Sequence, residues 1–149
     1  MEMLNLPTCD LNVRRNGIKK EIFDSIRKRF VVLTPEEWVR QHFIQFLLNE
    51  LHVPASLIGV ETSLKYNGLS KRSDIVVYDR IGKPAMAIEC KASTVKIDQK
   101  VFDQLARYNM VLNVSYLVVT NGMVHYCCQI NKLDGSYSFL QEIPPFEML

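Results

Sequence analysis

Two charged residues stand where an apolar β-strand would be expected to continue. The run Ala85-Met86-Ala87-Ile88 is followed directly by Glu89-Cys90-Lys91, and burying a charge is costly unless a partner compensates it. Residues two apart in a strand share a face, so Glu89 and Lys91 point one way and Cys90 the other. The chain therefore has to fold so that something compensates these charges beside its core.

A second apolar run begins with an acid. Asp74-Ile75-Val76-Val77-Tyr78 precedes the segment Arg80-Ile81-Gly82-Lys83-Pro84, which is typical of a turn. The two runs are therefore predicted to pair as a hairpin. Such pairing brings Asp74 close to Glu89 and Lys91.

This pattern predicts a site for a hard metal ion with a catalytic lysine. Asp74 and Glu89 supply carboxylate oxygens, and the backbone carbonyl of Cys90 can supply a third ligand to Mg²⁺, with Mn²⁺ as a substitute. Lys91 could orient or deprotonate an attacking water, or stabilise a charged phosphate. The simpler interpretation is a partly buried salt bridge between Lys91 and Asp74 or Glu89.

Polar residues elsewhere are weaker candidates. Gln104 and Tyr108 lie one helical turn apart, and Gln104 could contact a phosphate or the attacking water, but a polar helix edge with Tyr108 half in the core is the favoured explanation of the pair. Lys71, Arg72 and Lys96 could contact a nucleic-acid backbone or could lie in solvated loops.

The first helix offers an acid to the same site. Glu36 and Glu37 begin this helix, and one of them could be aimed at the metal. Glu37 is three residues after Thr34 and so completes a capping box, whereas Glu36 shares the face of Val39 and Phe43. Glu36 is therefore slightly favoured, and both remain candidates.

Hydrophobic periodicity and turn residues predict an α/β fold with a mixed central sheet flanked by helices. Asn16-Gly17 indicates an N-terminal hairpin with a type I′ turn. The predicted elements are this hairpin at residues 11–23, helices at 34–51 and 98–112, and strands at 57–64, 74–78, 85–92, 115–120, 123–130 and 137–143.

The length of 149 residues predicts one domain, with the hairpin region at about 10–33 and a core at about 34–143. No apolar run approaches the roughly 20 residues that cross a bilayer, so no membrane association is expected. Four cysteines without a Cys-x-x-Cys pair favour a reducing compartment, the cytoplasm. Residues 1–30 carry seven Lys or Arg against four Asp or Glu, which suits a polyanion or a solvated surface.

Taken together, the motifs resemble those of a known nuclease superfamily. Ser73-Asp74-Ile75-Val76-Val77-Tyr78-Asp79 followed by Ile88-Glu89-Cys90-Lys91-Ala92 resembles the PD-(D/E)xK signature. The resemblance is closer to the N-terminal nuclease domain of type I restriction enzyme R subunits. Segments at 23–29, 33–41, 103–108 and 120–122 carry it, over about residues 20–130.

The resemblance implies a restriction-endonuclease-like core and Mg²⁺-dependent phosphodiester cleavage of DNA. Asp74 and Glu89 match its metal-binding acids, Lys91 its catalytic lysine, and Gln104 and Tyr108 a motif on the following helix. Type I R subunits continue into a helicase-like motor, whereas this sequence has no Walker A loop. Action alone, with separately encoded helicase or specificity subunits, or as a homodimer is therefore left open.

Two rival interpretations accompany the nuclease hypothesis. The first is a catalytically silent module that binds nucleic acid or a partner on a nuclease fold. The second is a structural or protein-interaction domain whose acids only form salt bridges. A silent module would bind DNA without cleaving it, whereas a structural domain would bind no divalent metal.

Overall fold

The computed structural model describes residues 2–109 and 112–149. Its helices are α1 (Pro35–Asn49) and α2 (Gln99–Asn109), with short 3₁₀ turns at Ala55–Leu57 and Phe146–Met148. Its strands are β1 (Val13–Asn16), β2 (Lys19–Asp24), β3 (Arg29–Val32), β4 (Ile58–Tyr66), β5 (Leu69–Tyr78), β6 (Pro84–Cys90), β7 (Tyr116–Thr120), β8 (His125–Ile130) and β9 (Tyr137–Leu140).

A mixed sheet of six strands, in the order β4-β5-β6-β7-β8-β9, forms the centre of the molecule. Its strands pair antiparallel except for β6 and β7, which are parallel. The chain between these two strands contains α2, as a parallel connection requires. The predicted α/β class with a mixed sheet and flanking helices is confirmed.

The two helices cover opposite faces of this sheet because strand residues alternate between the faces. On one face, Phe43 and Leu47 of α1 pack with Ile75 and Ile88. On the other face, Phe102 of α2 packs in a second cluster, whose other members include Ala106, Val76, Ala87 and Leu117. The sheet is thus the middle of three layers.

Both helices begin where the sequence predicts. The Thr34 hydroxyl accepts a hydrogen bond from the backbone N–H of Glu37 at 3.0 Å, and the Asp98 carboxylate accepts one from the N–H of Val101 at 2.9 Å. The capping box is only half formed, because the Glu37 carboxylate turns instead to Arg27. The sequence predicts that α2 continues to Leu112. This prediction includes Met110 and Val111, which lie outside the described residues. No helix in the described part of the chain has the length and hydrophobicity to cross a membrane.

The N-terminal hairpin is confirmed, but its turn is shifted by one residue from the prediction. Gly17 and Ile18 form the turn, with Gly17 at φ +65° and Asn16 paired with Lys19. A positive φ at the first turn residue alone is typical of a type II′ turn, whereas type I′ would need two such residues. β3 joins this hairpin, so the N-terminal unit is a three-stranded sheet in the order β1-β2-β3.

The outer end of the β4–β5 hairpin, residues 62–73, turns over relative to the rest of the sheet. Glu61 adopts φ +50° between the paired residues Val60–Ile75 and Thr62–Ser73. Val60 packs on the α1 side, whereas Leu64 packs on the α2 side. This outer hairpin thereby directs Lys71, the cross-strand partner of Leu64, towards α2.

Candidate active site

The two predicted acids meet where β5 and β6 lie side by side. An Asp74 carboxylate oxygen accepts a hydrogen bond from the backbone N–H of Cys90 at 2.8 Å. Glu89 is buried, and burial, followed by the nearby Asp74 carboxylate, raises its pKa. The β5–β6 hairpin therefore brings both carboxylates together, as the sequence predicts.

A cation from the chain itself already contacts this acid pair. The Lys71 ammonium lies 2.5 Å from the Glu89 carboxylate and 2.6 Å from the side-chain oxygen of Asn109. It also lies 4.3 Å from the centre of the Tyr108 ring. Lys71 is only 6% exposed, so its ammonium is inside the site and not in a solvated loop.

Lys91 follows β6 directly and is partly buried. Its backbone N–H donates to the carbonyl of Thr120 at 2.8 Å, which extends the contact between β6 and β7 past the last strand residue. Its ammonium forms no ion pair within the described residues. Lys91 is thus fixed by its backbone, while its side chain keeps its hydrogen-bonding capacity.

Arg40 of α1 is the second cation of the site. Its guanidinium lies 3.6 Å from an Asp74 oxygen and 3.3 Å from a Glu61 oxygen, and it is almost fully buried. Two of its nitrogens, Nε and Nη1, have no hydrogen-bond partner among the described residues. Arg40 therefore holds Asp74 from the α1 side through charge more than through hydrogen bonds.

The two acids of the first helix have different surroundings. Glu37 is buried and bound to Arg27 at 3.0 Å and to the side-chain amide of Gln41 at 3.0 Å. Glu36 is exposed, yet its charge contributes to the raised pKa of the Cys90 thiol, after burial and Asp74. Glu36 forms no ion pair among the described residues.

Of the remaining predicted residues, some lie at the site and others do not. Tyr108 lies over Lys71, and Arg72 pairs with Glu61 at 2.9 Å, which links it to Arg40. Gln104 and Lys96 are exposed, and neither contacts the acid pair in the part of the chain that is described. The structure thus brings together Asp74, Glu89 and Cys90 with Lys71 and Tyr108, but not Gln104 or Lys96.

Two residues of the candidate site were missed by sequence reasoning. Arg40 lies on the buried side of α1 one turn before Ile44, and Asn109 continues the buried stripe of α2 after Phe102 and Ala106. Each is a polar residue within an apolar helical stripe. The same signal that singled out Glu89 in a strand could therefore have found both.

The donors at this point of the sheet fit a hard divalent cation. Two neighbouring carboxylates repel each other when both are ionised, and a cation between them relieves that repulsion. No group of three or more metal-ligating side chains exists among the described residues, so backbone and water oxygens would have to complete the shell. Mg²⁺ commonly keeps several waters, so Asp74, Glu89 and the Cys90 carbonyl fit it.

Comparison with known proteins shows the family to which this chain belongs. Residues 35–144 match the family model described as type I restriction enzyme R protein N terminus. The chain belongs to this family. The match includes both acids, Lys91 and all of α2, and it confirms the predicted closeness to type I R subunits.

A solved structure supports the fold. The chain is similar to a fragment described as an HsdR subunit of a type I restriction enzyme from Vibrio vulnificus YJ016, with a TM-score of 0.53 and 19% identity. The match covers 77% of this chain and 24% of that one, so this chain spans about a quarter of its solved relative. No curated protein matches the sequence.

Proposed function

We propose that this chain hydrolyses phosphodiester bonds of DNA in a Mg²⁺-dependent, restriction-type reaction. The observation that carries the proposal is the Asp74 carboxylate, which accepts the N–H of Cys90 at 2.8 Å beside the buried Glu89 at the end of β6. Membership in the type I restriction enzyme R protein family supports the same role. When bound, Mg²⁺ would supply Lewis-acid activation of the phosphodiester.

The residues of the chain would bind the cation, position Asp74 and act on the phosphate or the attacking water. Asp74, Glu89 and the Cys90 carbonyl would hold the cation, and Arg40 would keep Asp74 in place from the α1 side. Lys91, fixed at its backbone by Thr120, would donate hydrogen bonds to a phosphate oxygen or orient the attacking water. Glu36 would be the first-helix acid, because Glu37 is already bound to Arg27.

DNA would approach over α2 and the outer hairpin. Gln104 and Tyr108 lie on successive turns of α2, and both are exposed. Arg72 and Lys96 add exposed positive charge. Lys71 could join them only after leaving Glu89. Membership in the type I R protein family also supports the proposal that separately encoded helicase or specificity subunits work with this domain.

A second candidate function has its own supporting observation. Lys71 neutralises Glu89 from within the chain, which is what a domain without a metal would need. The fold would then serve as a catalytically silent module that binds nucleic acid or a partner.

Cleavage assays decide between the two. The purified chain is incubated with single- and double-stranded DNA in Mg²⁺ or Mn²⁺, with a chelator control. We expect Asp74→Asn and Lys91→Met each to slow cleavage at least about a hundredfold. Asp10→Asn and Lys132→Met change exposed residues of the same types and should cut like the parent.

Two results would contradict the nuclease proposal. Cleavage by Lys91→Met at the parent rate removes the assigned mechanism. Binding of DNA by the parent without any product in either metal supports the silent module instead.

A further inference from the structure

The three-stranded N-terminal sheet has a strongly one-sided charge. Residues 13–32 contain seven Lys or Arg and two Asp or Glu. Six of the cations are exposed: Arg14, Arg15, Lys19, Lys20, Lys28 and Arg29. Neither acid is exposed, because Asp24 is fully buried and the partly buried Glu21 is bound to Arg14 at 2.9 Å. We call β1–β3 with these six cations the basic sheet.

Register places two like charges directly opposite each other on this sheet. Arg15 is the cross-strand partner of Lys20, whereas the neighbouring pair on the other face, Arg14 and Glu21, has opposite charges. Like charges in direct cross-strand positions destabilise a sheet. A bound polyanion would turn this unfavourable pair into a favourable one.

The face that carries this pair leads towards the acid site. Lys20, Ile22 and Asp24 alternate along β2 and share a face, on which Ile22 and Asp24 are completely buried. Lys20 lies four residues from Asp24, or about 13 Å along the strand.

Asp24 is in turn connected to the acid site. Its carboxylate binds Arg27 at 2.6 Å and the side-chain amide of Gln41 at 2.9 Å. Gln41 and Arg40 are neighbours on α1, and Arg40 lies 3.6 Å from Asp74. The basic sheet is thus fixed against the helix that holds one of the two acids.

We propose that the basic sheet binds the phosphate backbone of duplex DNA beside the acid site, with Arg15 and Lys20 as its central contacts. This inference rests on the proposed action on DNA and adds a surface to it. The basic sheet precedes residue 35, where the match to the family model begins. Continuity with the acid site favours DNA over other polyanions.

The test measures binding without cleavage. A fluorescent duplex of about 30 base pairs is titrated with the full chain in EDTA, at salt concentrations from about 50 to 200 mM. For Arg15→Gln/Lys20→Gln we expect the slope of log K against log salt to become shallower by about 1.8, and the affinity to fall roughly tenfold or more.

A matched double variant controls for net charge. Lys83→Gln/Lys132→Gln also removes two exposed cations, and these lie at the end of the central sheet away from Asp74. We expect its slope to equal that of the parent. The thermal midpoint of Arg15→Gln/Lys20→Gln should not fall, because the substitution relieves the like-charge pair. Arg15→Lys/Lys20→Arg keeps both charges and should bind like the parent.

Several outcomes would overturn this inference. It is wrong if Arg15→Gln/Lys20→Gln binds the duplex like the parent, or if both double variants lose affinity equally. It is also wrong if the substitutions weaken binding of a single-stranded oligonucleotide or an RNA duplex but not of the DNA duplex. Binding is measured in EDTA and without cleavage, so a chain that does not cut DNA would still give the expected result.

Discussion

Lys71 takes a position at Glu89 that a divalent cation would also favour. Its ammonium is buried, 2.5 Å from the carboxylate, and is held there by Asn109. Asn109 is itself fixed, because its side-chain amide donates to the carbonyl of Leu105 at 2.7 Å. An ammonium and a metal ion that share one carboxylate compete for it, so metal binding at Glu89 would have to displace Lys71 or share its ligand.

Replacing Lys71 should therefore tighten metal binding. We expect Lys71→Met to bind Mg²⁺ about tenfold more tightly than the parent near neutral pH, which corresponds to about 1.4 kcal/mol. Titration calorimetry measures the affinity directly. Lys65→Met removes an exposed lysine from the same hairpin and should leave it unchanged. Unchanged or weaker Mg²⁺ binding by Lys71→Met would show that Lys71 and the cation do not compete.

The sequence predicted the acids of the site better than its cations. Asp74 and Glu89 stood out because strand alternation put them beside apolar residues. Lys71 was predicted as a residue for phosphate contact because the sequence did not show that β5 begins as early as Leu69. Its burial depends on the left-handed Glu61, which no local pattern signals.

At the scale of elements, the turn between β7 and β8 is packed more tightly than the turns at Gly17, Gly68 and Gly82, whose φ is also positive. Gly122 has φ +84°, and a side-chain carbon there would lie 2.9 Å from a Leu4 methyl and 3.2 Å from a Val39 methyl. The carbonyl of Gly122 also accepts a hydrogen bond from the N–H of Asn5 at 2.8 Å. This turn is where the N-terminal segment packs onto the central sheet.

Gly122→Ala should consequently destabilise the protein by about 2–3 kcal/mol, from both backbone strain and overpacking. Gly68→Ala is the matched control, since Gly68 also has a positive φ of +77° but no atom within 4 Å of the added carbon. Its loss should be about 1 kcal/mol. Urea unfolding measures both free energies of unfolding. Equal losses in the two variants would show that Leu4 and Val39 move aside without destabilising the protein.

Element types and helix starts were predictable from the sequence, whereas the register of the N-terminal hairpin and the start of β5 were not. Thr34 and Asp98 fixed the helix starts, because a capping hydroxyl or carboxylate acts locally. The N-terminal turn shifted by one residue because Gly17 satisfies a type II′ turn as well as a type I′ turn. That shift decides which charges face each other, since Arg15 now pairs with Lys20.

At the scale of the whole molecule, one ion cluster joins the N-terminal sheet to α1. Asp24 accepts hydrogen bonds from Arg27 and Gln41, and Arg27 donates another hydrogen bond to Glu37. Burial alone would raise the pKa of Asp24, but the backbone and side-chain hydrogen bonds from Arg27 and Gln41 lower it overall. A carboxyl with a lowered pKa in the folded state stabilises the fold when ionised.

The stabilisation by Asp24 should therefore depend on pH in a defined direction. At pH about 7, Asp24→Asn should lower the free energy of unfolding by about 3 kcal/mol, because it breaks a buried ion pair. As the pH falls below the ordinary Asp pKa of about 3.9 and then through the lowered folded value, the parent loses this advantage. Unfolding curves at both ends of this range measure the difference.

The control and the contradicting result follow from the same dependence of stability on the charge of Asp24. Asp10→Asn changes an exposed aspartate whose loss should matter little at either pH. If the gap between the parent and Asp24→Asn stayed the same in acid, the charge of Asp24 would not be the source of its contribution. Hydrogen exchange should also show β1–β3 opening first in Asp24→Asn, because this cluster fixes that sheet to α1.

The parallel pairing of β6 with β7 sets an order in which the chain can assemble during synthesis. Asp74 and Cys90 are only 16 residues apart, so the hairpin that joins them can close before α2 has left the ribosome. Lys71 and Asn109 are 38 residues apart and cannot meet until the crossover is made. In the nascent hairpin Lys71 can already reach Glu89, which is 18 residues along the chain, but Asn109 can hold the ammonium there only after α2 has been made.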